Sequence, residues 1–217
     1  MPFHTVLLDL DGTLIDHFEA IHRCHAQVRR HFGLLEPTRE EVRRSVGGGL
    51  ENALRRLLGP EHADKVAAGL AVFREHWDGT MLDDVTLLPG ALELLAGMQA
   101  GGVHSAVLTN KHAGSARLIC THLGMDPYLA GVFGAGDTPW LKPDPRFTRH
   151  ALGTLGSDAA STLLVGDSPY DVQTAQAAGI PIWAVPTGTH TEAELLAAGA
   201  DRVLPDLAAL LVQLQQA

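Results

Sequence analysis

The sequence predicts an α/β protein with a doubly wound, mostly parallel sheet and an all-helical segment inserted after the first strand. From residue 88 onward, short apolar runs typical of buried strands alternate with helical patterns. This alternation implies right-handed crossovers between parallel strands. Between residues 16 and 82, apolar residues instead recur at three- and four-residue steps, and no run indicates a strand. We therefore predict a core of residues 1–15 and 84–217 and a helical insertion of residues 16–83.

The first strand is predicted from five residues of strong strand character, Val6, Leu7, Leu8 and their neighbours, which lead directly into Asp9 and Asp11. Residues i and i+2 of a strand lie on the same face, so both carboxylates could address one site. Gly12 follows and allows a sharp turn. This strand therefore places two acids where a parallel sheet opens to solvent.

The helical insertion begins with an amphipathic helix that ends near Gly33. Thr38 and Glu41 form a capping-box pattern that predicts the start of a second helix. Residues 47–49 are three glycines that break it, and helices over 50–58 and 61–77 follow.

The rest of the chain supplies the other strands and helices of the core. The predicted strands cover residues 105–108, 132–133, 162–165, 182–185 and 202–204. The predicted helices cover residues 91–99, 113–123, 146–155, 172–178 and 206–215, with a further capping-box pattern at Thr191 and Glu194.

Composition excludes several classes of function. The chain has 217 residues, 46% of them hydrophobic, and a net charge of −9, which argues against binding to nucleic acid or to anionic membranes. No uncharged run reaches the ~18 residues of a membrane helix, and the N-terminus lacks a signal-peptide pattern. Cys24 and Cys120 lie far apart with no CxxC partner, so we expect neither a metal nor a disulfide role. We expect a cytoplasmic protein, either a monomer or a homodimer.

Polar side chains follow three of the predicted strands. Asp9 and Asp11 follow the first, Thr109 and Asn110 follow the strand over 105–108, and Asp167 follows the strand over 162–165. Ligands of such sheets bind beyond the carboxyl ends of the strands. Two further residues belong to the same region: Lys142, in a loop stiffened by two prolines, and Asp171, in the first turn of the next helix.

Four converging aspartates repel one another unless a cation is present. An all-oxygen site with few protein ligands favours Mg²⁺ over zinc. Carboxylates, Mg²⁺, a lysine and a hydroxyl group are the components that phosphoryl transfer requires. The residues therefore predict Mg²⁺-assisted phosphoryl chemistry.

Four segments together resemble the motifs of the haloacid dehalogenase superfamily, in the same order along the chain. They are DLDGTLID (residues 9–16), LTNK (108–111), LKPDP (141–145) and VGDSPYD (165–171). The resemblance covers essentially the whole chain. It implies a Rossmann-like core, and the helical insertion resembles the mobile cap domain of that superfamily.

The resemblance also implies roles for individual residues. Asp9 would be the nucleophile that forms an aspartyl-phosphate, and Asp11 would be the general acid and then the general base. Thr109, the Asn110 backbone amide and Lys142 would bind the phosphoryl group. Asp9, the Asp11 backbone carbonyl and Asp167 would hold Mg²⁺, and Asp171 would assist either as a direct ligand or by orienting the other ligands.

The substrate expected from the resemblance is a small phosphorylated metabolite, because phosphoglycolate phosphatase-like members are the most similar. A sugar-phosphate mutase or a pyrophosphatase of the same superfamily is the nearest alternative. A dehalogenase is disfavoured because it needs no acid at the position of Asp11. A non-catalytic phosphate-binding or interaction protein is the alternative from another class. Such a protein would be expected to lack one or more of Asp9, Asp11, Lys142 and Asp167, and all four are present in this sequence.

Several nearby residues admit two interpretations. Lys111 is either a substrate contact or a surface residue, and residues 47–49 are either a loop that approaches the substrate or a simple helix break. Arg43 and Arg44 are expected on solvated faces. His17 stands where many relatives have serine, which puts any substrate contact there in doubt.

Overall fold

The computed structural model describes residues 3–216, and within them the strands form one six-stranded parallel sheet and one short antiparallel pair. The strands are β1 (Thr5–Leu8), β2 (Ile15–Asp16), β3 (Thr86–Leu87), β4 (His104–His112), β5 (Leu129–Ala135), β6 (Thr162–Gly166), β7 (Ile182–Ala184) and β8 (Arg202–Val203). The order in the large sheet is β5-β4-β1-β6-β7-β8. The predicted parallel, doubly wound sheet is confirmed, with β1 near its centre.

The α-helices lie between these strands and after the last one. They are α1 (Phe18–His31), α2 (Arg39–Ser45), α3 (Leu50–Leu58), α4 (Val66–Thr80), α5 (Ala91–Ala100), α6 (Ala113–His122), α7 (Pro145–Leu155), α8 (Pro169–Ala178), α9 (Glu192–Ala198) and α10 (Leu207–Gln216). Between β2 and β3 the structure contains only helices, α1 to α4 and a 3-10 helix over Pro60–Lys65. The all-helical character of the insertion is confirmed, whereas its status as a separate domain stays a prediction.

The side chains of β1 alternate between two hydrophobic cores, one on each face of the sheet. Val6 and Leu8 pack in the core that also includes the interior of the helical insertion. Leu7 packs on the opposite face, against residues of α7 and α8 such as Phe147. All three β1 side chains are fully buried. This two-sided burial explains why the strand is a continuous apolar run rather than an alternating one.

Both capping boxes predicted from the sequence are present. The Thr38 side chain accepts a hydrogen bond from the backbone N–H of Glu41, and Thr191 does the same for Glu194. Such a cap stabilises a helix by about 1 kcal/mol, so short polar signals determine where α2 and α9 begin.

Several predicted elements are longer in the structure, including the strands over 105–108 and 132–133 and the helix over 172–178. The strand predicted over 105–108 extends through Thr109, Asn110 and Lys111, because β4 continues to pair with β5 after a register shift. The helix predicted over 172–178 begins at Pro169, where Ser168 and Asp171 form a capping box. Proline is well tolerated at the first position of a helix, so α8 starts immediately after β6. No helix within residues 3–216 is long and apolar enough to cross a membrane.

Candidate active site

Four of the residues predicted for catalysis, phosphate binding or metal binding lie together at the carboxyl ends of three neighbouring strands. Asp9 follows β1, Thr109 and Asn110 lie in the last part of β4, and Asp167 follows β6. All four are buried. They occupy the edge of the sheet at which ligands of doubly wound proteins bind.

Asp9, Asp167 and Asp171 form a buried group of carboxylates. Each offers an oxygen, and these oxygens lie within 4.8 Å of one another. Lys142 enters the group from the loop before α7, where its Nζ donates to Asp9 Oδ1 and to Asp171 Oδ1, at 2.7 Å each. With all three acids ionised, as metal binding requires, three carboxylates and one ammonium leave an excess of two negative charges. This excess and the all-oxygen donor set fit one hard divalent metal ion.

The pKa values of the group show the cost of burying these charges together. Burial raises the pKa of Asp9 to about 6, with a further increase from Asp171, although Lys142 opposes it. Burial, followed by the charges of Asp171 and Asp9, raises the pKa of Asp167 to about 8. For Lys142, burial alone would lower the pKa, but Asp171 and Asp9 outweigh burial and raise it. A bound cation would relieve the repulsion among the carboxylates.

Asp167 is held by residues that the sequence analysis missed. Thr13 Oγ1 donates to Asp167 Oδ1 at 3.2 Å, and the backbone N–H and Oγ1 of Thr189 donate to Oδ2 at 2.9 and 3.1 Å. A Cβ on Gly188 would lie 2.0 Å from Asp167 Oδ2, so only glycine fits there. Functional residues are expected in the segments that follow the strands of such a sheet. Gly188 and Thr189 follow the strand predicted over 182–185, so this expectation could have identified them.

Asn110 connects the site with both the loop of Lys142 and the helical insertion. Its Oδ1 accepts from the backbone N–H of Lys142 at 2.8 Å, and its Nδ2 donates to the Lys142 carbonyl at 3.0 Å. The same Nδ2 donates to the carbonyl of Gly47 at 2.9 Å. Thr109 Oγ1 accepts from the backbone N–H of Lys111 at 3.2 Å. The side chain of Asn110 therefore has a structural role, and its backbone amide stays the predicted phosphate contact.

The carboxylate of Asp11 interacts with a different lysine from that of Asp9. Lys111 Nζ donates to Asp11 Oδ1 and Oδ2 at 3.0 and 2.9 Å. Burial alone would raise the pKa of Asp11, but the ammonium of Lys111 holds that pKa well below its usual range. The alternative of a surface role for Lys111 is wrong, since its side chain is only 7% exposed. Spacing alone could not identify its partner, which lies 100 residues earlier.

His17 is fully buried beside Asp11. Its Nε2 lies 2.7 Å from the Met81 carbonyl and must donate to it, because a carbonyl only accepts. The other ring nitrogen, Nδ1, lies 3.7 Å from Asp11 Oδ1. The imidazole also packs on Trp77, with 4.8 Å between ring centroids. His17 thus forms part of the wall around Asp11.

The glycines at 47–49 form a loop that contacts the core. Besides the bond between Gly47 and Asn110, a Cβ on Gly48 would lie 2.6 Å from the hydroxyl of Tyr170, so the loop packs tightly on α8. This close packing supports the interpretation of a loop that approaches the site.

The two arginines before that loop differ in their surroundings. The expectation of a solvated face is wrong for Arg43, whose Nη1 donates to the Gly188 carbonyl at 2.9 Å and whose guanidinium lies 4.1 Å from the Phe18 ring centroid. The expectation of a solvated face agrees with the structure for Arg44, whose side chain is 43% exposed and pairs with Glu40 and Glu194. An arginine stem can cover an aromatic ring while its head group binds polar atoms, which a sequence pattern does not reveal.

Comparison with known proteins assigns the family. The model of the haloacid dehalogenase-like hydrolase family matches residues 6–185. The chain belongs to this family. The resemblance to the haloacid dehalogenase superfamily is therefore confirmed, and so is the prediction that the protein is a hydrolase.

Two curated relatives are similar over nearly the whole chain. A phosphoglycolate phosphatase of Rhodospirillum rubrum is 34% identical over 213 residues, which cover 94% of this chain and 88% of the relative. A plasmid-encoded phosphoglycolate phosphatase of Cupriavidus necator is 34% identical over 213 residues, covering 97% of this chain and 92% of the relative. The more specific resemblance to phosphoglycolate phosphatases is confirmed by these similarities.

Two solved structures support the fold of this haloacid dehalogenase-like hydrolase. A haloacid dehalogenase-like family hydrolase from Streptococcus pneumoniae has a TM-score of 0.88 and 22% identity over 99% of each chain. CbbY from Rhodobacter sphaeroides, solved in complex with phosphate, has a TM-score of 0.80 and 24% identity over 96% of each chain. At these identities the similarity concerns the fold alone.

Proposed function

We propose that this hydrolase is a Mg²⁺-dependent phosphatase that acts on a small phosphorylated metabolite similar to phosphoglycolate, through an aspartyl-phosphate at Asp9. The contact of Lys142 Nζ with both Asp9 and Asp171, beside Asp167, is the observation that carries the proposal. It joins a candidate nucleophile, a candidate metal site and a cation in one buried group. The similarity to curated phosphoglycolate phosphatases supports the choice of substrate.

In the first half of the proposed reaction, an oxygen of Asp9 attacks phosphorus. With its pKa at about 6, Asp9 is mostly ionised at neutral pH, and Lys142 orients it. The bond between phosphorus and the bridging oxygen breaks, and Asp11 gives a proton to the departing alkoxide. This transfer requires that Asp11 carries a proton, either taken up from solvent or retained from the water that it deprotonated in the previous turnover. The ion pair between Asp11 and Lys111 must therefore be broken first, because Lys111 stabilises the ionised form.

In the second half, Asp11 removes a proton from water, which attacks phosphorus and releases Asp9. Lys142, Thr109 and the backbone amide of Asn110 would hold the phosphoryl oxygens throughout. A Mg²⁺ ion held by Asp9, the Asp11 carbonyl, Asp167 and Asp171 would neutralise negative charge on the phosphoryl group when bound.

The test is release of inorganic phosphate from a panel of metabolites, measured with Mg²⁺ and with EDTA. We expect turnover of phosphoglycolate only with the metal, and a loss of about 1,000-fold or more for Asp9→Asn, because the nucleophile is removed. Asp64→Asn is the matched control, since Asp64 is exposed on the helical insertion. Activity that is unchanged in Asp9→Asn would contradict the mechanism.

The same panel separates the alternatives. Preferred release from pyrophosphate indicates a pyrophosphatase, and isomerisation of a sugar phosphate without release of phosphate indicates a mutase. Binding of phosphate esters without turnover of any of them indicates a non-catalytic protein.

A further inference from the structure

Lys111 carries a positive charge at a position that is almost inaccessible to solvent. Its side chain is 7% exposed, and its Nζ lies 2.9 Å from Asp11 Oδ2 and 4.5 Å from the centroid of the Trp77 ring. A buried ammonium is costly unless it is paired. Once Asp11 engages the reacting atoms, Lys111 needs another anion.

The two buried lysines serve different sides of the site. Lys142 contacts Asp9 and Asp171, the acids assigned to phosphorus and the metal ion. Lys111 contacts Asp11, the acid assigned to the oxygen of the leaving group. Lys111 therefore lies on the side of the leaving group, whereas Lys142 lies on the side of the phosphoryl group.

We propose that Lys111 is a specificity-determining residue that binds an anionic group on the leaving part of the substrate. This inference rests on the proposed function and narrows its substrate class to phosphate monoesters of small 2-hydroxy acids. In such esters the carboxylate carbon is only two bonds from the bridging oxygen. An ammonium that touches Asp11 can therefore reach this carboxylate while Asp11 addresses the bridging oxygen.

The helical insertion strengthens this interaction by excluding water. Trp77 of α4 covers Lys111 and is itself 6% exposed. Its Nε1 donates to Ser115 Oγ of α6 at 3.1 Å, so the indole is tied to the core beside Lys111. An ion pair in such a dry site is stronger than the same pair in water. Lys111 would thus bind the carboxylate of the substrate while Trp77 shields this ion pair from water.

The test compares two substrates of similar size, 2-phosphoglycolate and 2-hydroxyethyl phosphate, in which a hydroxymethyl group replaces the carboxylate. The measured quantity is the ratio of their kcat/KM values. We expect this ratio to fall by about 10- to 100-fold in Lys111→Met and Lys111→Gln, because each loses a charge-assisted hydrogen bond. Lys111→Arg keeps the charge and should keep most of the preference. Lys65→Met removes a positive charge from the 3-10 helix and should leave the ratio within about threefold of wild type.

A ratio that is the same in wild type, Lys111→Met and Lys111→Gln would overturn the inference, since Lys111 would then act only on Asp11. Glutamine keeps a hydrogen-bond donor near Asp11, so it serves if the methionine variant does not fold.

A binding experiment separates this inference from the proposed function. In an Asp9→Asn background with Mg²⁺, calorimetry measures the affinities for 2-phosphoglycolate and for inorganic phosphate. We expect the Lys111 variants to weaken binding of 2-phosphoglycolate selectively. If this occurs while wild type hydrolyses no ester, the inference holds and the proposed function fails. If wild type hydrolyses 2-phosphoglycolate but both ligands weaken equally, the inference fails and the proposed function holds.

Discussion

Replacement of Lys142 by methionine should strongly destabilise the metal-free protein. Lys142 is 4% exposed and contacts both Asp9 and Asp171 at 2.7 Å, so its loss leaves these two buried carboxylates without a cation. Leaving a buried charge unpaired costs about 3–5 kcal/mol. We expect the lower end, because Asp9, with its pKa at about 6, can take up a proton. In a chain of 217 residues, about 3 kcal/mol corresponds to a fall in Tm of about 6–12 °C.

The assay is thermal unfolding followed by circular dichroism in EDTA near pH 7.5, with Lys65→Met as the control. The double variant Lys142→Met/Asp171→Asn should recover part of the loss, because it removes one of the unpaired charges. A Tm of Lys142→Met close to that of Lys65→Met would refute the reasoning. It would mean that the carboxylates do not need the ammonium.

Three further predictions concern the same site. Because the folded-state pKa of Asp167 is raised to about 8, the native protein holds a proton that the unfolded chain releases at lower pH. The Tm of the metal-free protein should therefore fall from about pH 7 to about pH 8.5, and it should fall less in Asp167→Asn; equal slopes would show that Asp167 is not the titrating group. Gly188→Ala should reduce kcat/KM by about 100-fold or more, since its Cβ would displace Asp167, whereas Gly153→Ala, with nothing within 4 Å, should retain activity; similar activities of the two variants would contradict this contact. Trp77→Phe removes the hydrogen bond to Ser115 and should cost about 0.5–1.5 kcal/mol of unfolding free energy, measured by urea denaturation, while in a Ser115→Ala background the same change should cost less.

The sequence alone was sufficient to predict the architecture and the principal acids. Val6, Leu7 and Leu8 predict a central strand because both faces of that strand are buried, and the two acids after it lie where parallel sheets bind ligands. The capping boxes at Thr38 and Thr191 are local signals, so they could be recognised without tertiary contacts.

Only the tertiary structure decided which side chains share partners. Lys111 pairs with Asp11 and Lys142 pairs with Asp9, across separations of 100 and 133 positions. Nothing in this spacing favours these pairs over the alternative in which Lys111 pairs with Asp9 and Lys142 with Asp11. The role of Gly188 likewise depends on the approach of Asp167 from another strand end. Strand and helix signals act over a few residues, whereas packing between elements depends on the whole sheet. The sequence therefore determined the acids and their place at the sheet edge, and the packing of the loops and of the helical insertion decided which lysine serves each acid.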